Sequence, residues 1–502
     1  MDLTSRYTAK TKSGIIFSSW CTAITNPTSS GMEMSIMGTV VGLKTFNDYF
    51  EITPSTNGLI NASIFIGAFL SMPFVRILLD RCGRRTSILI ANLIMILGVL
   101  IQCTSGIHYG GPRALAQFVV GRIVSGAGNC LVVSSSPPLV AEIVPSNHRG
   151  VIMGAFHSCY YVGALIAAGV TYGTRNINSN WCWRAPLIVQ FGPSIISALA
   201  LLFTPESPRW LVSKGREEEA LDIFTRIADG EAEVASKQIK AVKNAIVVER
   251  TVYETESVWK EAFSSKANLR RILINFIVAA CVEGSGSSIA TYYITTLLEQ
   301  AGITLVSTQL KVAIIRNGFC LFACIIGCIT FDIIGRKPQA LIAMTGEIIS
   351  LFILGALVKV YGKSSNTSGQ YGAIAMMFIF SGFYSYCFTP LLMLYTPEIY
   401  PQRTRAVGIT VLEIFDNGLG VFLNFMLPIG MANMRGNFYL LNGAWNLVFI
   451  PLIFFVFVET KGLDLEEIAS LFGDGENAIT FQKDDTSESD AEQIEILDTG
   501  KV

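Results

Sequence analysis

The sequence DRCGRR at residues 80–85 returns as DIIGRK at residues 332–337, and the two copies are 252 residues apart. The sequence EIVPSNHR at residues 142–149 returns as EIYPQRTR at residues 398–405, with an offset of 256 residues. Each copy stands at the edge of a long apolar segment. A nearly constant offset between charged motifs indicates that the chain contains an internal duplication.

Long apolar segments dominate the composition. Of the 502 residues, 51% are hydrophobic and 15% are charged, whereas soluble proteins carry about 25% charged residues. Twelve segments are long enough to cross about 30 Å of hydrocarbon as helices. Strands are excluded because the segments lack the alternation of a membrane barrel. We predict an all-α membrane protein with spans near residues 14–41, 56–79, 86–104, 113–140, 150–172, 185–204, 270–296, 311–331, 338–358, 371–396, 405–428 and 438–458.

The duplication divides these spans into two bundles of six helices. We predict an N-terminal bundle at 14–204 and a C-terminal bundle at 270–458, joined by a charged helical linker at 205–269. Residues 1–13 form a polar N-terminus, and the acidic residues 459–502 are expected to be a largely disordered tail. Two similar membrane bundles are typical of transporters, whose halves move about a site between them.

Positive charge identifies one face of the predicted bundles. Residues 205–271 hold twelve Lys or Arg side chains, and apolar residues at helical spacing in residues 217–227 predict an amphipathic helix there. By the positive-inside tendency, we expect this face and both termini to be cytoplasmic, at the plasma membrane. Asn366 begins a glycosylation sequon in a loop predicted on the opposite face, which agrees with this orientation.

The repeated charges are candidates for a conformational gate. A looser pair of motifs, PES at 205–207 and VET at 458–460, adds one carboxylate to each set. Facing carboxylates and guanidinium groups can lock the two halves together on the cytoplasmic side, and the lock must break in the opposite state. The alternative is that the charges only signal topology. The predicted gate residues are Asp80, Arg84, Arg85, Arg122, Glu142, Arg149, Glu206, Asp332, Arg336, Glu398, Arg405 and Glu459.

Two carboxylates lie inside predicted spans. Glu33 falls in span one and Glu283 in span seven, 250 residues later. An ionised carboxylate near the middle of a bilayer costs roughly 3 kcal/mol, so such a residue usually faces a cavity or a partner. Glu33 is therefore either a group that takes up and releases a proton or a neutral, hydrogen-bonded structural residue. Glu283 shares a helical face with Ser287, which directs both toward a central site.

The motifs together resemble the sugar porters of the major facilitator superfamily, especially fungal hexose and lactose permeases. The resemblance covers nearly the whole chain and implies twelve helices in two domains, alternating access and a central site for a sugar-like substrate. It rests on DRCGRR at 80–85, GR at 121–122, EIVPSNHRG at 142–150, WCWRAPLIVQ at 181–190, PESPRWL at 205–211, KGR at 214–216, YY at 292–293, DIIGRK at 332–337, TPL at 389–391, PEIYPQRTR at 397–405, ETKG at 459–462 and LEE at 465–467.

The resemblance also assigns substrate-binding residues, and some of them depart from the family pattern. Glu283 and Ser287 stand where these porters carry Gln and Asn, and His157 stands at an Asn position. Glu33 matches an acidic residue on the first helix of proton-coupled members. Because the hexose set is altered, glucose itself is not implied. The predicted substrate-binding residues are Glu283, Ser287, Ser288, Asn317, His157, Ser158, Tyr292 and Asn424.

Other polar and proline residues leave their roles open. Arg316 in span eight is expected to neutralise Glu283, to neutralise Asp416 or to reach the membrane interface. Spans ten and eleven add Thr389, Tyr395, Glu413, Asp416 and Asn417 as polar candidates for the site. Prolines are predicted to break three spans and to act as hinges there, at Pro27, Pro137, Pro138, Pro390 and Pro397.

The leading prediction is a secondary carrier of a sugar or sugar-like polyol, coupled to protons. Two alternatives are a carrier of a specialised metabolite, which the altered site permits, and a sugar sensor that does not transport. An enzyme is excluded because the sequence has no nucleophile elbow, no HExxH motif, no glycine-rich phosphate loop and only three His. We expect no cofactor, no metal and no nucleic-acid partner, and we expect the chain to act as a monomer in the bilayer.

Overall fold

The computed structural model describes residues 8–9, 11–107, 110–144, 146–228, 230–253, 258–364, 366–401, 404–463 and 465–473. The regular secondary structure in these residues is helical. The helices, in chain order, are α1 Lys12–Val40, α2 Lys44–Phe50, α3 Pro54–Cys82, α4 Arg84–Cys103, α5 Pro112–Ile143, α6 Ser146–Thr174, α7 Trp181–Val189, α8 Phe191–Phe203, α9 Pro208–Ser213, α10 Glu217–Ile227, α11 Ala232–Tyr253, α12 Val258–Ala262, α13 Lys266–Gly284, α14 Ser287–Tyr292, α15 Ile294–Gln300, α16 Val306–Ile334, α17 Arg336–Tyr361, α18 Thr367–Ile399, α19 Arg405–Met434, α20 Gly436–Asn446, α21 Phe449–Val456 and α22 Leu465–Leu471.

The helices supply twelve membrane spans. Within the described residues, ten helical segments are long and apolar enough to cross a membrane, when the adjoining pairs α7–α8, α13–α14 and α20–α21 are each counted as one segment. Helices α1 and α6, of 29 residues each, stand at the positions of predicted spans one and five. The predicted fold class, an all-α membrane protein with twelve transmembrane helices, is therefore confirmed.

The prolines do not end their helices. Pro27 lies inside the 29-residue α1, and Pro390 lies inside the 33-residue α18. The prediction that prolines interrupt these spans was wrong, because proline removes one backbone donor and neighbouring helices can hold the bent helix together. Spans six, seven and twelve are the ones divided into two helices, and in span seven α13 ends at Gly284 and α14 begins at Ser287. Gly286 between them has φ 100°, a conformation that favours glycine.

The side of the molecule that carries the 205–269 linker is here named the linker side. On this side, each bundle has a turn built around a carboxylate. In the first bundle, Gly83 has φ 91°, and a Cβ there would lie 2.5 Å from Glu206 Oε2. Glu206 Oε1 accepts the backbone N–H of Arg84 at 2.9 Å, so the carboxylate caps the positive end of α4. Arg84 Nε lies 3.4 Å from Glu142 Oε2 on α5, and the Ser207 hydroxyl donates to the same carboxylate.

The second bundle repeats this turn with equivalent residues. Gly335 has φ 101° and ψ 162°, and Glu459 Oε1 accepts the backbone N–H of Arg336 at 2.9 Å. Arg336 Nη2 lies 2.6 Å from Glu398 Oε1, which ties α17 to α18. The Thr460 hydroxyl donates to Glu398 Oε2 at 2.6 Å, as the Ser207 hydroxyl does in the first bundle. The loose sequence echo of PES in VET therefore corresponds to the same set of contacts.

The linker packs against the first bundle through its own small core. Trp210, Ile223 and Phe224 are buried together with apolar residues of α11. The indole Nε1–H of Trp210 donates to the carbonyl of Asp80 at 3.1 Å, which fixes α9 beside the end of α3. At the other end of the linker, Ala262 is buried against α19 of the second bundle. The linker thus contacts both bundles on one side.

The bundles also meet on the opposite side of the molecule, here named the far side. Helix α1 runs from the linker side to the far side, because Ala9, before its first residue, bonds to Phe203 at the start of the linker. Near the far end of α1, a Cβ at Gly38 would lie 2.0 Å from the carbonyl oxygen of Thr291 in α14. A Cβ at Gly42 would lie 2.6 Å from the Thr295 side chain. Glycine therefore permits the two bundles to close together on the far side.

We predict that the Gly335→Ala variant is less stable than the native chain by about 1–3 kcal/mol, because its φ and ψ belong to a region adopted almost only by glycine. The new Cβ would also lie 2.7 Å from Glu459 Oε2. Thermal unfolding of the purified protein in detergent measures the effect. The control is Gly169→Ala on α6, where a Cβ meets nothing within 4 Å. Equal unfolding midpoints for the two variants would contradict the prediction.

Candidate functional site

A cavity of about 230 Å³ lies between the two bundles. Helices α1, α3, α5 and α6 of the first bundle line one wall, and helices α13, α14, α16, α18 and α19 of the second bundle line the other. The lining combines apolar and aromatic side chains with polar and charged groups. A concave, mostly apolar cavity with a few convergent polar groups is the usual form of a small-molecule site.

The interruption of span seven brings polar side chains into this cavity. Glu283 ends α13 while Ser287 and Ser288 begin α14, and all three side chains line the cavity. The backbone carbonyls freed by the break are satisfied from α20: Asn442 Nδ2 donates to Gly284 at 3.2 Å, and Asn446 Nδ2 donates to Ser285 at 2.8 Å. This polar support lets backbone of irregular conformation remain inside the membrane.

Glu283 is held by neutral donors. Asn424 Nδ2 donates to Glu283 Oε2 at 3.2 Å, and the Ser288 hydroxyl lies 3.5 Å from the same oxygen. Only 8% of the Glu283 surface is exposed, and Asn424 is fully buried behind it. Asn424 therefore holds the Glu283 carboxylate in position and does not itself line the cavity.

Arg316 also lines the cavity, and its donors reach hydroxyl and amide groups. Its Nε donates to Ser381 at 2.9 Å, and Nη2 donates to Thr291 at 3.2 Å. Its Nη1 lies 3.3 Å from Asn317 Oδ1, and Asn317 donates across the bundle interface to the carbonyl of Ala164 at 3.1 Å. Of the roles that the sequence left open for Arg316, a salt bridge to a carboxylate is not formed within the described residues, and the side chain is buried in the cavity wall.

Helix α19 contributes two further carboxylates. Glu413 Oε2 accepts from Asn417 Nδ2 at 3.2 Å, and both residues line the cavity. Asp416 lies between them along the helix, and its buried Oδ1 has no hydrogen-bond partner. Sequence analysis named these residues only as general polar candidates, because nothing in the sequence tells which face of span eleven meets the first bundle.

The first bundle faces the cavity with tyrosines and neutral polar groups. The Tyr161 hydroxyl shares hydrogen bonds with Ser385 at 2.6 Å and with Thr389 at 2.9 Å, which joins α6 to α18. Ser35 and Asn129 also line the cavity; Asn129 Oδ1 has no hydrogen-bond partner, and Ser35 lies beside the Tyr160 side chain. Sequence analysis missed Ser35, Asn129 and Tyr161, although the tyrosine lies one turn beyond His157 on a predicted site helix.

A buried ion pair lies beside the cavity within the first bundle. Arg122 Nη1 lies 3.4 Å from Glu33 Oε1, and both side chains are fully buried. The Ser125 hydroxyl donates to the same carboxylate oxygen at 2.7 Å. Glu33 Oε2 and Arg122 Nη2 have no partner, so the pair is incompletely satisfied. Glu33 directly precedes Met34 and Ser35, which line the cavity.

The structure distributes the predicted substrate-binding residues unevenly. Five of them line the cavity: Glu283, Ser287, Ser288, Asn317 and Tyr292. Asn424 bonds to Glu283 from behind. Ser158 is not among the cavity-lining residues, because this face of α6 turns toward Cys324 on α16. The side chain of His157 lies outside the described residues.

The predicted gate residues at the helix ends fall into three groups: those in the turn of the first bundle, those in the turn of the second bundle, and those outside either turn. Arg84, Glu142 and Glu206 form the turn of the first bundle, with Arg85 donating to the carbonyls of Leu201 at 2.7 Å and Leu202 at 3.2 Å. Asp80 and Asp332 are exposed and pair with basic residues one helical turn away, while Arg405 begins α19. Arg336, Glu398 and Glu459 form the turn of the second bundle, and the side chain of Arg149 lies outside the described residues.

Two gate expectations differ from the structure. Arg122 lies deep inside the first bundle with Glu33 and not at the linker side, because it stands near the middle of α5. The pairs Arg84–Glu142 and Arg336–Glu398 each join helices of one bundle, whereas the sequence analysis expected a lock between the halves.

Asn366 is exposed and caps α18 by accepting the backbone N–H groups of Ser368 and Gly369.

Comparison with known proteins gives relatives over most of the chain. The high-affinity glucose transporter of Kluyveromyces lactis is 26% identical over 465 residues, which cover 88% of this chain and 82% of the relative. The sugar transporter STL1 of Saccharomyces cerevisiae is 29% identical over 464 residues, covering 88% and 78%. The probable quinate permease of Aspergillus niger is 26% identical over 473 residues, covering 88% and 85%.

The fold has a counterpart among solved structures. The partially occluded inward-open form of the xylose transporter XylE from E. coli matches with a TM-score of 0.75 and 22% identity, covering 90% of this chain and 99% of that one. A family model described as sugar (and other) transporter matches residues 18–472. This chain therefore belongs to the sugar (and other) transporter family, the sugar porters of the major facilitator superfamily, and is a transporter rather than an enzyme.

Proposed function

We propose that this chain carries a sugar or sugar-like polyol across a membrane, coupled to protons, by alternating access. The observation that supports this function best is the polar cavity enclosed between two similar bundles. Hydroxylated substrates need donors and acceptors within an otherwise apolar pocket, and this cavity offers both. The relatives named as glucose and sugar transporters agree with that substrate class.

The substrate site in this proposal centres on span seven. Glu283, Ser287 and Ser288 would bind substrate hydroxyls from the second bundle, together with Asn317 and Tyr292. Asn424 would act by holding the Glu283 carboxylate, which it contacts at 3.2 Å. Because the two walls belong to different bundles, a bound substrate contacts both and can favour the occluded form.

Alternating access in this proposal depends on two kinds of contact. On the linker side, Arg84–Glu142 and Arg336–Glu398 would keep each bundle rigid, so that the bundles move as units. On the far side, the close approach of α1 to α14 at Gly38 would exist only while that side is closed. The predicted gate residues would thus govern conformation without binding substrate.

Glu33 is the proposed proton-coupling residue. Its carboxylate is fully buried, contacts Arg122 through one oxygen only, and leaves the other oxygen without a partner. Protonation of Glu33 would remove the counter-charge of the buried Arg122, and a buried guanidinium without a carboxylate is strongly destabilising. The protonated state would therefore favour a conformation in which Arg122 gains water or another partner. The neighbouring cavity wall provides a route by which this change affects substrate binding.

In the proposed orientation, the protein lies in the plasma membrane, and its linker side and both termini face the cytoplasm. The linker carries the concentration of basic residues that the positive-inside tendency requires. The exposed Asn366 then lies outside, where a glycan could be attached. We propose that the monomer is the functional unit, because both walls of the cavity come from one chain.

Uptake into proteoliposomes tests the proposed function. The experiment offers labelled hexoses, pentoses, disaccharides and polyols, with an imposed proton gradient and with an uncoupler. Accumulation of at least one of these solutes, and its loss with the uncoupler, is the expected result. A protein that binds such a solute and never moves it would instead be a sensor.

We predict that Glu33→Gln abolishes accumulation against a gradient while exchange of substrate across the membrane continues. The amide keeps an acceptor for Ser125 but cannot take up or release a proton. Accumulation and counterflow in proteoliposomes measure the two activities. Glu299→Gln, at an exposed carboxylate on α15, is the matched control and should leave both unchanged. Normal accumulation by Glu33→Gln would reject the coupling role.

We predict that Gly38→Val shifts the protein toward the form that is open on the far side. The new side chain would overlap the carbonyl oxygen of Thr291, which a Cβ at Gly38 already approaches to 2.0 Å. A cysteine placed at Thr295, in a background without reactive native cysteines, should react faster with a membrane-impermeant maleimide. Gly169→Val, on an open helix face, is the control, and equal labelling rates in the two variants would contradict the prediction.

A further inference from the structure

The charges in the cavity are unbalanced. Among the described residues that line it, the charged side chains are Glu283, Glu413 and Asp416, all from the second bundle, and Arg316. In their ionised forms, these three carboxylates outnumber the one guanidinium and place an excess of negative charge on one wall. Asp416 lies within electrostatic range of both Glu283 and Glu413, so the three carboxylates act on the same region of the cavity.

Among the described residues, no basic side chain forms a salt bridge with these carboxylates. Glu283 receives hydrogen bonds from Asn424 and Ser288, and Glu413 receives one from Asn417, all of them neutral donors. The Oδ1 atom of Asp416 is buried and has no partner. The guanidinium of Arg316 is engaged with hydroxyl and amide groups instead. In a membrane interior, ionised carboxylates without a counter-charge are costly, and that cost is removed either by protonation or by a cation that enters the cavity.

The other wall of the cavity carries neutral polar groups. Ser35 is 6% exposed and Asn129 is 8% exposed, and both line the cavity. Asn129 Oδ1 lacks a hydrogen-bond partner, and Ser35 lies beside the Tyr160 side chain. A buried polar atom without a partner indicates that a ligand completes it. Because both side chains are neutral acceptors, and Ser35 is also a donor, they suit the hydroxyl groups of a polyol or sugar.

Aromatic rings from both walls lie near the carboxylates. Tyr384 lines the cavity close to both Glu283 and Asp416, and Tyr292 and Phe65 lie on the same cavity, in edge contact with each other at 6.0 Å. Carboxylates combined with aromatic faces are the usual environment of a protonated amine. A metal ion fits poorly, since no three His, Cys, Asp or Glu side chains in the described part of the chain converge enough to hold one.

We propose that the substrate of this carrier is a hydroxylated cation, such as an amino sugar or an amino polyol. Its protonated amine would lie beside Asp416, in the combined field of Asp416, Glu283 and Glu413, and its hydroxyl groups would bond to Ser35 and Asn129 on the opposite wall. This inference rests on the proposed function, whose cavity it uses, and it narrows the substrate class from neutral sugars to their amine-bearing counterparts.

Pairs of solutes that differ in charge test the inference. Sorbitol is compared with N-methylglucamine, and glucose with glucosamine and with the uncharged N-acetylglucosamine, by binding to the full chain in nanodiscs and by uptake into proteoliposomes. The amine-bearing member of each pair should bind about tenfold more tightly than its neutral partner, because a charge-assisted hydrogen bond replaces a neutral one. Acetylation, which removes the charge, should abolish the preference.

Variants locate the preference within the cavity. Asp416→Asn should reduce the preference for the amine severalfold, and thermal unfolding of the purified variant in detergent shows whether it is folded. Glu413→Gln provides a second variant with the same expected direction. Asp48→Asn, at an exposed position on α2 outside the cavity, is the matched control and should leave the preference unchanged.

The outcomes separate this inference from the function on which it rests. If neutral sugars are accumulated and their amine-bearing partners bind equally or more weakly, the inference is overturned and the proposed function stands. A preference that survives in both Asp416→Asn and Glu413→Gln also overturns it. If no member of either series is moved across the membrane, the proposed function fails and the inference fails with it.

Discussion

The cost of burying charge in a low-dielectric interior governs how this chain is arranged. Where a charge serves the architecture, the protein places it at a helix end on the linker side, as with Glu206 and Glu459, which accept backbone N–H groups at the positive ends of α4 and α17. Burial raises the pKa of Glu206, and the hydrogen bonds donated by backbone N–H groups oppose that rise. These caps stabilise turns whose glycines leave room for the carboxylate, so the same constraint selects Gly83 and Gly335.

Inside the membrane, by contrast, some charged groups stay incompletely paired although their burial is costly. Glu33 keeps only part of its possible contacts with Arg122, and Asp416 leaves an oxygen without a partner. A protein built only for stability would replace such groups with apolar side chains, because incompletely satisfied buried charges destabilise the fold. Their presence around one cavity therefore indicates function. The helix caps on the linker side, present in both bundles, stabilise each bundle and offset the cost of these buried charges.

Span seven connects the fold to the site. Its interruption at Gly286 turns the end of α13 and the start of α14 toward the cavity, and asparagines of α20 satisfy the freed carbonyls. Five residues after Gly286, Thr291 touches α1 of the other bundle at Gly38, so the same segment borders both the cavity and the far-side closure. Substrate contacts at Glu283 or Ser287 therefore lie close to the contact between the bundles. Substrate binding can thus affect the movement of the bundles through only a few residues.

The sequence alone determined the membrane class, the twelve spans, the duplication and the family, because hydropathy and spaced motifs are properties of the chain read in order. It also identified Glu33 and Glu283, since a carboxylate inside an apolar span is conspicuous. Only the tertiary structure decided that Arg122 pairs with Glu33, that the motif charges pair within each bundle, and that Ser35, Asn129, Glu413 and Asp416 share a cavity. These facts depend on helix rotation and on contacts between residues distant in sequence. A helical period tells which residues share a face, and packing against other helices decides what that face meets.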